Sequence, residues 1–348
     1  MGLALWVSLA VPSCLVSAAH AQSLVGLGEK VEFGVYADGV PYFAHALKDL
    51  ERADKLGNDL DVVSGFVDWD YVFGEARDRA LSGRSGRKLL YSWEPHCRSE
   101  TSCISFAEIA SGRVDDYLQR IADSMAKYPH DIYVRPWAEM NAHWSPYQPG
   151  SGRPLAGSVD EFKAAWRHVV TFFRSRGIRN LRFVFNADAS TDPTNTDVRE
   201  IWPGSEYVDV LGIDGYNWGD GGGERWQEFD EIYRDMYGIL TELDATAPVW
   251  ICELGSKEPA KSDGSSRDPS PRDPGHSKAA WLRNMLRSTA YPRVTLLAYY
   301  SAYNQGQKVR DFRLDSSRAA LREIRAFLRN RSKRLPRAPA LQNTHELR

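Results

Sequence analysis

Cysteine is scarce: four copies occur in 348 residues, and no group of Cys and His has the spacing of a zinc site. A charge excess is missing too. The 44 Lys and Arg stand against 46 Asp and Glu, a net charge of -2. No basic field favours nucleic acid, and no acidic field favours a cationic partner. No Gly-x-Gly-x-x-Gly follows the first β-like run, which removes the main sign of dinucleotide binding. No short internal repeat is present. The reading therefore expects no cofactor, no metal and no nucleic acid. On oligomeric state the sequence is silent.

What is present begins with a leader. An apolar run from Leu3 to Ala19 ends in Ala19-His20-Ala21, a small-residue cleavage site before Gln22, although its n-region carries no Lys or Arg. Pro12 and the short length argue against a membrane span. The expectation is a signal peptide over 1–21, a secreted or periplasmic chain, and no stable membrane insertion after cleavage. Cys97 and Cys103 lie close together in a polar stretch, which in an exported protein permits a local disulfide. Cys252 sits in an apolar run and reads as a buried free thiol. The 43% hydrophobic and 26% charged residues suffice for a sizeable core. The 11 Trp and 16 Tyr are notable, because aromatic faces grip sugar rings, although cores absorb most large aromatics.

Eight β-rich runs punctuate the chain: 31–36, 60–67, 88–93, 132–136, 181–185, 208–213, 249–252 and 294–300. Amphipathic stretches lie between them, at 43–55, 114–127, 159–176, 228–243 and 278–288, with weaker ones at 73–82 and around Val198. A last helix is expected near 315–330. Alternation of strand and helix implies parallel strands with right-handed crossovers. Eight such units predict an α/β fold, a single-domain (β/α)8 TIM barrel over 22–330. Gly219–Gly223 and Lys257–Ser277 read as flexible loops, and 331–348 as a basic, disordered tail.

Barrel active sites lie at the C-terminal ends of the strands. Two runs end in a glutamate there: Glu139 after the fourth and Glu253 after the seventh. Three βα units apart, they face one another across the mouth. Facing carboxylates suit glycosidic cleavage, in which one donates a proton and the other attacks the anomeric carbon or activates water. Arg135, on the strand of Glu139, is placed to keep Glu253 ionised.

The segment Arg135-Pro136-Trp137-Ala138-Glu139-Met140-Asn141-Ala142-His143-Trp144 resembles the strand-four signature of glycoside hydrolase family 26, roughly R-P-x-H-E-M-N-G-x-W. Phe33–Tyr36, Ser92–Pro95, Val208–Trp218 and Glu253–Ser256 resemble its other strand ends, in the right order. The resemblance implies a retaining β-glycanase, with mannan or a related glucan or xylan as the polysaccharide partner, Glu139 as acid/base and Glu253 as nucleophile. It implies substrate contacts from Arg135, Trp93, Asn141, Trp144, Tyr216 and Trp218, with Tyr216 hydrogen-bonded to Glu253. For Asn141, bracing of the loop is the equal alternative. Ala138 stands where the family has His, a departure that bears on the choice of mannan. An exopolysaccharide-trimming hydrolase and a catalytically inactive glycan-binding barrel remain the alternatives.

Overall fold

The computed structural model describes residues 26–29, 31–57, 60–83, 86–94, 104–153, 157–219, 225–258, 276–305 and 309–334. The expected signal peptide, Cys97 and Cys103, most of the two flexible loops and the tail beyond Arg334 lie outside the described residues.

Eight strands, β1 (Glu32–Ala37), β2 (Val62–Asp68), β3 (Lys88–Glu94), β4 (Ile132–Pro136), β5 (Leu181–Asp188), β6 (Val210–Asn217), β7 (Val249–Ser256) and β8 (Val294–Ser301), close into one parallel barrel. Strand β8 pairs back onto β1, from Glu32 opposite Leu296 to Ala37 opposite Ser301. The (β/α)8 fold read from the alternation is the fold observed. A short antiparallel hairpin, β9 (Tyr303–Gln305) and β10 (Val309–Asp311), extends the end of β8.

The helices are α1 (His45–Leu50), α2 (Ala76–Ser82), α3 (Phe106–Ala110), α4 (Asp115–Met125), α5 (Val159–Ser175), α6 (Phe229–Leu243), α7 (Lys278–Arg287) and α8 (Arg318–Arg334). Helix α5 shows why these segments fold as they do. Ser158 and Glu161 form a reciprocal cap that satisfies orphan N–H groups of the first turn. Phe162, Trp166, Val169, Val170 and Phe173 then recur at helical spacing and are buried against the barrel.

Three helical expectations change. The stretch around Val198 forms turns, with one 3-10 turn at Ser205–Tyr207. Pro193 and the side-chain hydrogen bonds of Asp192, Asp197 and Ser190 to nearby backbone N–H groups compete with helix there. Helix α1 is much shorter than its apolar pattern. Helix α8 continues to Arg334, beyond the expected end near 330, with Arg331 buried against Phe327 and paired to Asp61. No helix among the described residues is long and apolar enough to cross a membrane.

Candidate active site

Side chains alternate along a strand, so in a closed barrel every second residue points inward, in layers. The lowest layers are apolar: Val62, Leu90, Val184, Val210, Trp250, Cys252, Leu296 and Ala298 form one buried cluster. Two residues further along, the same faces carry Ser92, Arg135 and Asn186, all buried. At the mouth they carry Tyr36, Phe66, Glu94, Tyr216 and Tyr300. Gly212 faces this interior, where a Cβ would collide with Asn186 Oδ1. Its lack of a side chain makes room for the polar layer.

Glu253 does not follow the simple alternation. Trp250 and Cys252 already point into the barrel, so Glu253 belongs to the opposite face. A register shift corrects this: Ile213 pairs with Ile251, but Asp214 pairs with Glu253, leaving Cys252 as the extra residue. Such a bulge re-aims the side chains that follow it. Glu253 therefore turns inward beside Asp214. The Cys252 thiol stays free and buried, as its apolar context predicts.

Arg135 lies between the two carboxylates. Its Nη1 donates to Asp214 Oδ2 at 2.7 Å and its Nη2 to Glu253 Oε1 at 2.7 Å, with a further hydrogen bond to Ser92 Oγ. Asn186 Nδ2 donates to the same Asp214 oxygen at 2.7 Å. At 1% exposure, Arg135 cannot line a groove. Its hydrogen bonds go to Asp214, Glu253 and Ser92, which corrects its expected place among the substrate contacts. Tyr216 O–H donates to Glu253 Oε2, so both oxygens of Glu253 are held.

Glu139 leaves β4 in a left-handed conformation, φ 57°, and Trp137 just before it has φ 52°. For residues with a Cβ this costs about 1–2 kcal/mol each. Neighbouring strands enforce it: Trp137 N–H donates to Trp93 O at 3.2 Å and Glu139 N–H to Asn186 O at 3.0 Å. Trp137 is packed among Trp69, Phe106, Phe162 and Trp166. The outcome is that carboxylate oxygens of Glu139, Asp214 and Glu253 lie within 4.8 Å of one another. Among the described residues they form the one acidic trio close enough to share an ion, and Arg135 already supplies a cation to two of its members.

Burial raises the Glu139 carboxyl well above the ordinary carboxylate range, and the charges of Asp214, Glu253 and Asp188 push it the same way. The neutral form of Glu139 is thereby favoured, while a guanidinium and a phenol hydrogen-bond the two oxygens of Glu253. Two further mouth carboxyls are shifted, both chiefly by burial. Glu94 is pushed up to about 7 despite Arg135, with Glu253 and Asp68 adding to the rise. Asp188 rises to about 6 although Ser190 N–H donates to it.

The expected ring contacts divide. Trp144 is 55% exposed on the loop after β4. That loop is fixed on both sides: Asn195 Oδ1 accepts from His143 N–H at 2.8 Å, and Arg153 donates to the backbone oxygens of Ser145 and His143. His143 is thus a bracing surface residue. Trp218 is half-buried against Tyr216 and Phe312, next to Glu253. Trp93 is corrected: at 0% exposure it has no open face, being covered by Trp69 at a 4.8 Å ring separation and bonded to Tyr117. Half-buried Trp69 is the ring nearer solvent. For Asn141 the bracing alternative is the one the structure shows. At 1% exposure, its amide donates to Asp188 O at 3.1 Å and accepts from Asp188 N–H at 2.8 Å, bracing the β4 loop on β5.

The sequence reading passed over Asp214, Asn186, Glu94, Asp188 and the ring group Tyr36, Tyr300 and Phe66, in which Tyr36 and Tyr300 stack at 4.7 Å. Continuing the period-two register of each strand to its C-terminal end would have found them.

An eight-stranded barrel with an acidic, aromatic-walled mouth is the class that fold and site define. The sequence profile of Glycosyl hydrolase family 26 matches residues 104–220. Endoglucanase H of Acetivibrio thermocellus is 30% identical over 326 residues, which are 92% of this chain and 33% of that protein. A mannan endo-1,4-beta-mannosidase of Bacillus subtilis is 30% identical over 112 residues, 30% of this chain and 29% of that protein. The chain thus spans a third or less of the length of these relatives. A GH26 beta-mannanase structure from Bacteroides ovatus shares the fold, with a TM-score of 0.57 and 17% identity over 92% of this chain and 95% of that one. These matches support an assignment to glycosyl hydrolase family 26.

Proposed function

We propose that the chain is a retaining endo-β-glycanase that hydrolyses mannan or a related β-linked polysaccharide. One observation carries the reading: Glu139, whose burial favours the neutral carboxyl, and Glu253, held by Arg135 and Tyr216, bring carboxyl oxygens within 4.8 Å of each other. Retaining glycosidases separate their carboxyl groups by about 5–5.5 Å, whereas inverting ones leave about 6.5–9.5 Å for a water.

In the first step Glu253 attacks the anomeric carbon while Glu139 protonates the departing glycosidic oxygen, leaving a glycosyl ester on Glu253. In the second, Glu139, now ionised, takes a proton from water, which displaces Glu253 from the same carbon. Glu139 regains its proton and the sugar keeps its configuration. Arg135 and Tyr216 steady Glu253 as its charge is lost and regained. Trp144 and Trp218 offer rings to flanking sugars.

The names of the relatives, an endoglucanase and mannan endo-1,4-beta-mannosidases, support a β-linked glycan. Export through the 1–21 leader fits a polymeric substrate. Reducing-end release should be measured over mannan, xylan, mixed-linkage glucan and bacterial exopolysaccharides, with Glu253→Gln as control. Turnover by the wild type alone is expected. A Glu253→Gln variant that retains full activity would refute the assignment.

A further inference from the structure

Lys278 opens α7 and is completely buried, at 0% exposure. Its ammonium has three hydrogens to donate, and three acceptors surround it: Arg313 O at 2.8 Å, Ser316 Oγ at 2.7 Å and Asp311 O at 3.3 Å. Its backbone N–H donates to Glu258 Oε2 at 2.9 Å. Glu258 is itself buried, two residues beyond the end of β7. Lys257 and Glu258 therefore do not begin a mobile loop, as the sequence suggests, but are packed inside.

What the ammonium holds is the turn from Asp311 to Ser316, which contains Phe312. The Phe312 N–H donates to Ala302 O at 3.0 Å. Its ring packs on Tyr216 at 5.1 Å and on Trp218 at 5.3 Å between centroids. Gly255, two residues past Glu253, gives both rings room, since a Cβ there would meet Phe312 Cδ1 and Tyr216 Cδ1 at 3.0 Å. Tyr216 in turn holds Glu253.

We propose that Lys278 is a positioning residue for the proposed glycosidase reaction, fixing the Asp311–Ser316 turn so that Phe312 presses Tyr216 onto Glu253 and supports the face of Trp218. This rests on the reading of Glu253 as nucleophile. A buried ammonium is costly, and an apolar side chain would fill the space with less penalty. Burial pushes this one down to about 8 against the pull of Asp311, Glu258 and Asp315, with Arg313 adding to the fall. One atom gathering three oxygens from a turn is a task that an apolar residue cannot perform.

The test uses the full chain carrying Lys278→Met, with Ser316→Ala as a milder variant that removes a single acceptor. Hydrogen exchange read by mass spectrometry should quicken in peptides covering 309–316 and 214–219 while the rest of the barrel stays protected. On β-1,4-mannohexaose, kcat should fall roughly tenfold, as small misplacements at a reacting centre do. KM should change less, and the acid limb of the kcat/KM profile should move to higher pH as Glu253 loses the Tyr216 bond. Phe312→Leu should reproduce these effects, and combining it with Lys278→Met should add little. A lower Tm with unchanged acid limb and unchanged exchange at 214–219 would make Lys278 merely structural and overturn the proposal. Should Lys278→Met not fold, Ser316→Ala decides by the same readouts. A wild type that cleaves no β-glycan would refute the hydrolase reading instead, and the exchange data would still decide whether Lys278 positions Tyr216.

Discussion

Replacing Arg135 by Met tests the electrostatic frame of the mouth. The guanidinium is 1% exposed and binds two carboxylates whose side chains are 0% and 9% exposed, both at 2.7 Å. Methionine roughly fills the volume but leaves Asp214 and Glu253 as facing, buried anions. Breaking a buried pair from one side costs about 3–5 kcal/mol. With about 2–4 °C lost per kcal/mol in a large domain, Tm should fall by roughly 6–20 °C. The deficit also has a sign in pH. Burial already raises the Asp214 carboxyl well above the ordinary range and Arg135 opposes that rise, so without the cation its folded-state pKa climbs further above the unfolded value near 4. Such groups favour the folded state below the unfolded pKa and lose that benefit as pH rises through the folded one. The Tm gap between wild type and Arg135→Met should therefore widen from pH 4 to pH 8. Thermal unfolding followed by circular dichroism at both pH values measures it. An equal gap at the two ends would refute the claim that Arg135 works by neutralising these carboxylates.

Other outcomes follow from the same geometry. Glu139→Gln should lower kcat about 10²–10⁴-fold on substrates with poor leaving groups, and Glu139→Ala with added azide should yield a glycosyl azide of retained configuration, seen by NMR. Because Glu139 must be protonated to act, wild-type kcat should decline as pH rises through its elevated pKa; a flat alkaline side would contradict this. Trp144→Ala should raise KM on long oligosaccharides about 3–10-fold, the loss of one aromatic contact, with kcat nearly unchanged. Asn141→Ala should lower stability by about 1–3 kcal/mol in denaturant unfolding, through the unpaired Asp188 backbone, and a KM effect without a stability loss would return Asn141 to the substrate contacts.

Much of the barrel was legible because each strand is a short apolar run and the helices between them keep a 3.6-residue period. Ile132–Pro136 was read to the residue. Strand ends were read short at β5, β6 and β7, where polar groups such as Asn186, Asp188, Asp214 and Asn217 continue the strand into the mouth. Their polarity hides the strand because it serves the site. Glu139 and Glu253 stood out as charges closing apolar runs. The Cys252 bulge that turns Glu253 inward left no mark in the sequence, nor did the φ of Glu139, since both are imposed by neighbouring strands. Trp93 misled because Trp69, which covers it, is distant in sequence. Lys278 was hidden for the same reason: its acceptors lie more than thirty residues downstream.

The left-handed backbone at Glu139 sets the protein's stability against its chemistry. Glycine or asparagine would relax there, so replacing the proposed proton donor by either should make the chain more stable while abolishing the proposed turnover. A glutamate in so uncomfortable a conformation suits the proposed catalyst, whereas a mere binder of glycans would have no use for an acid there.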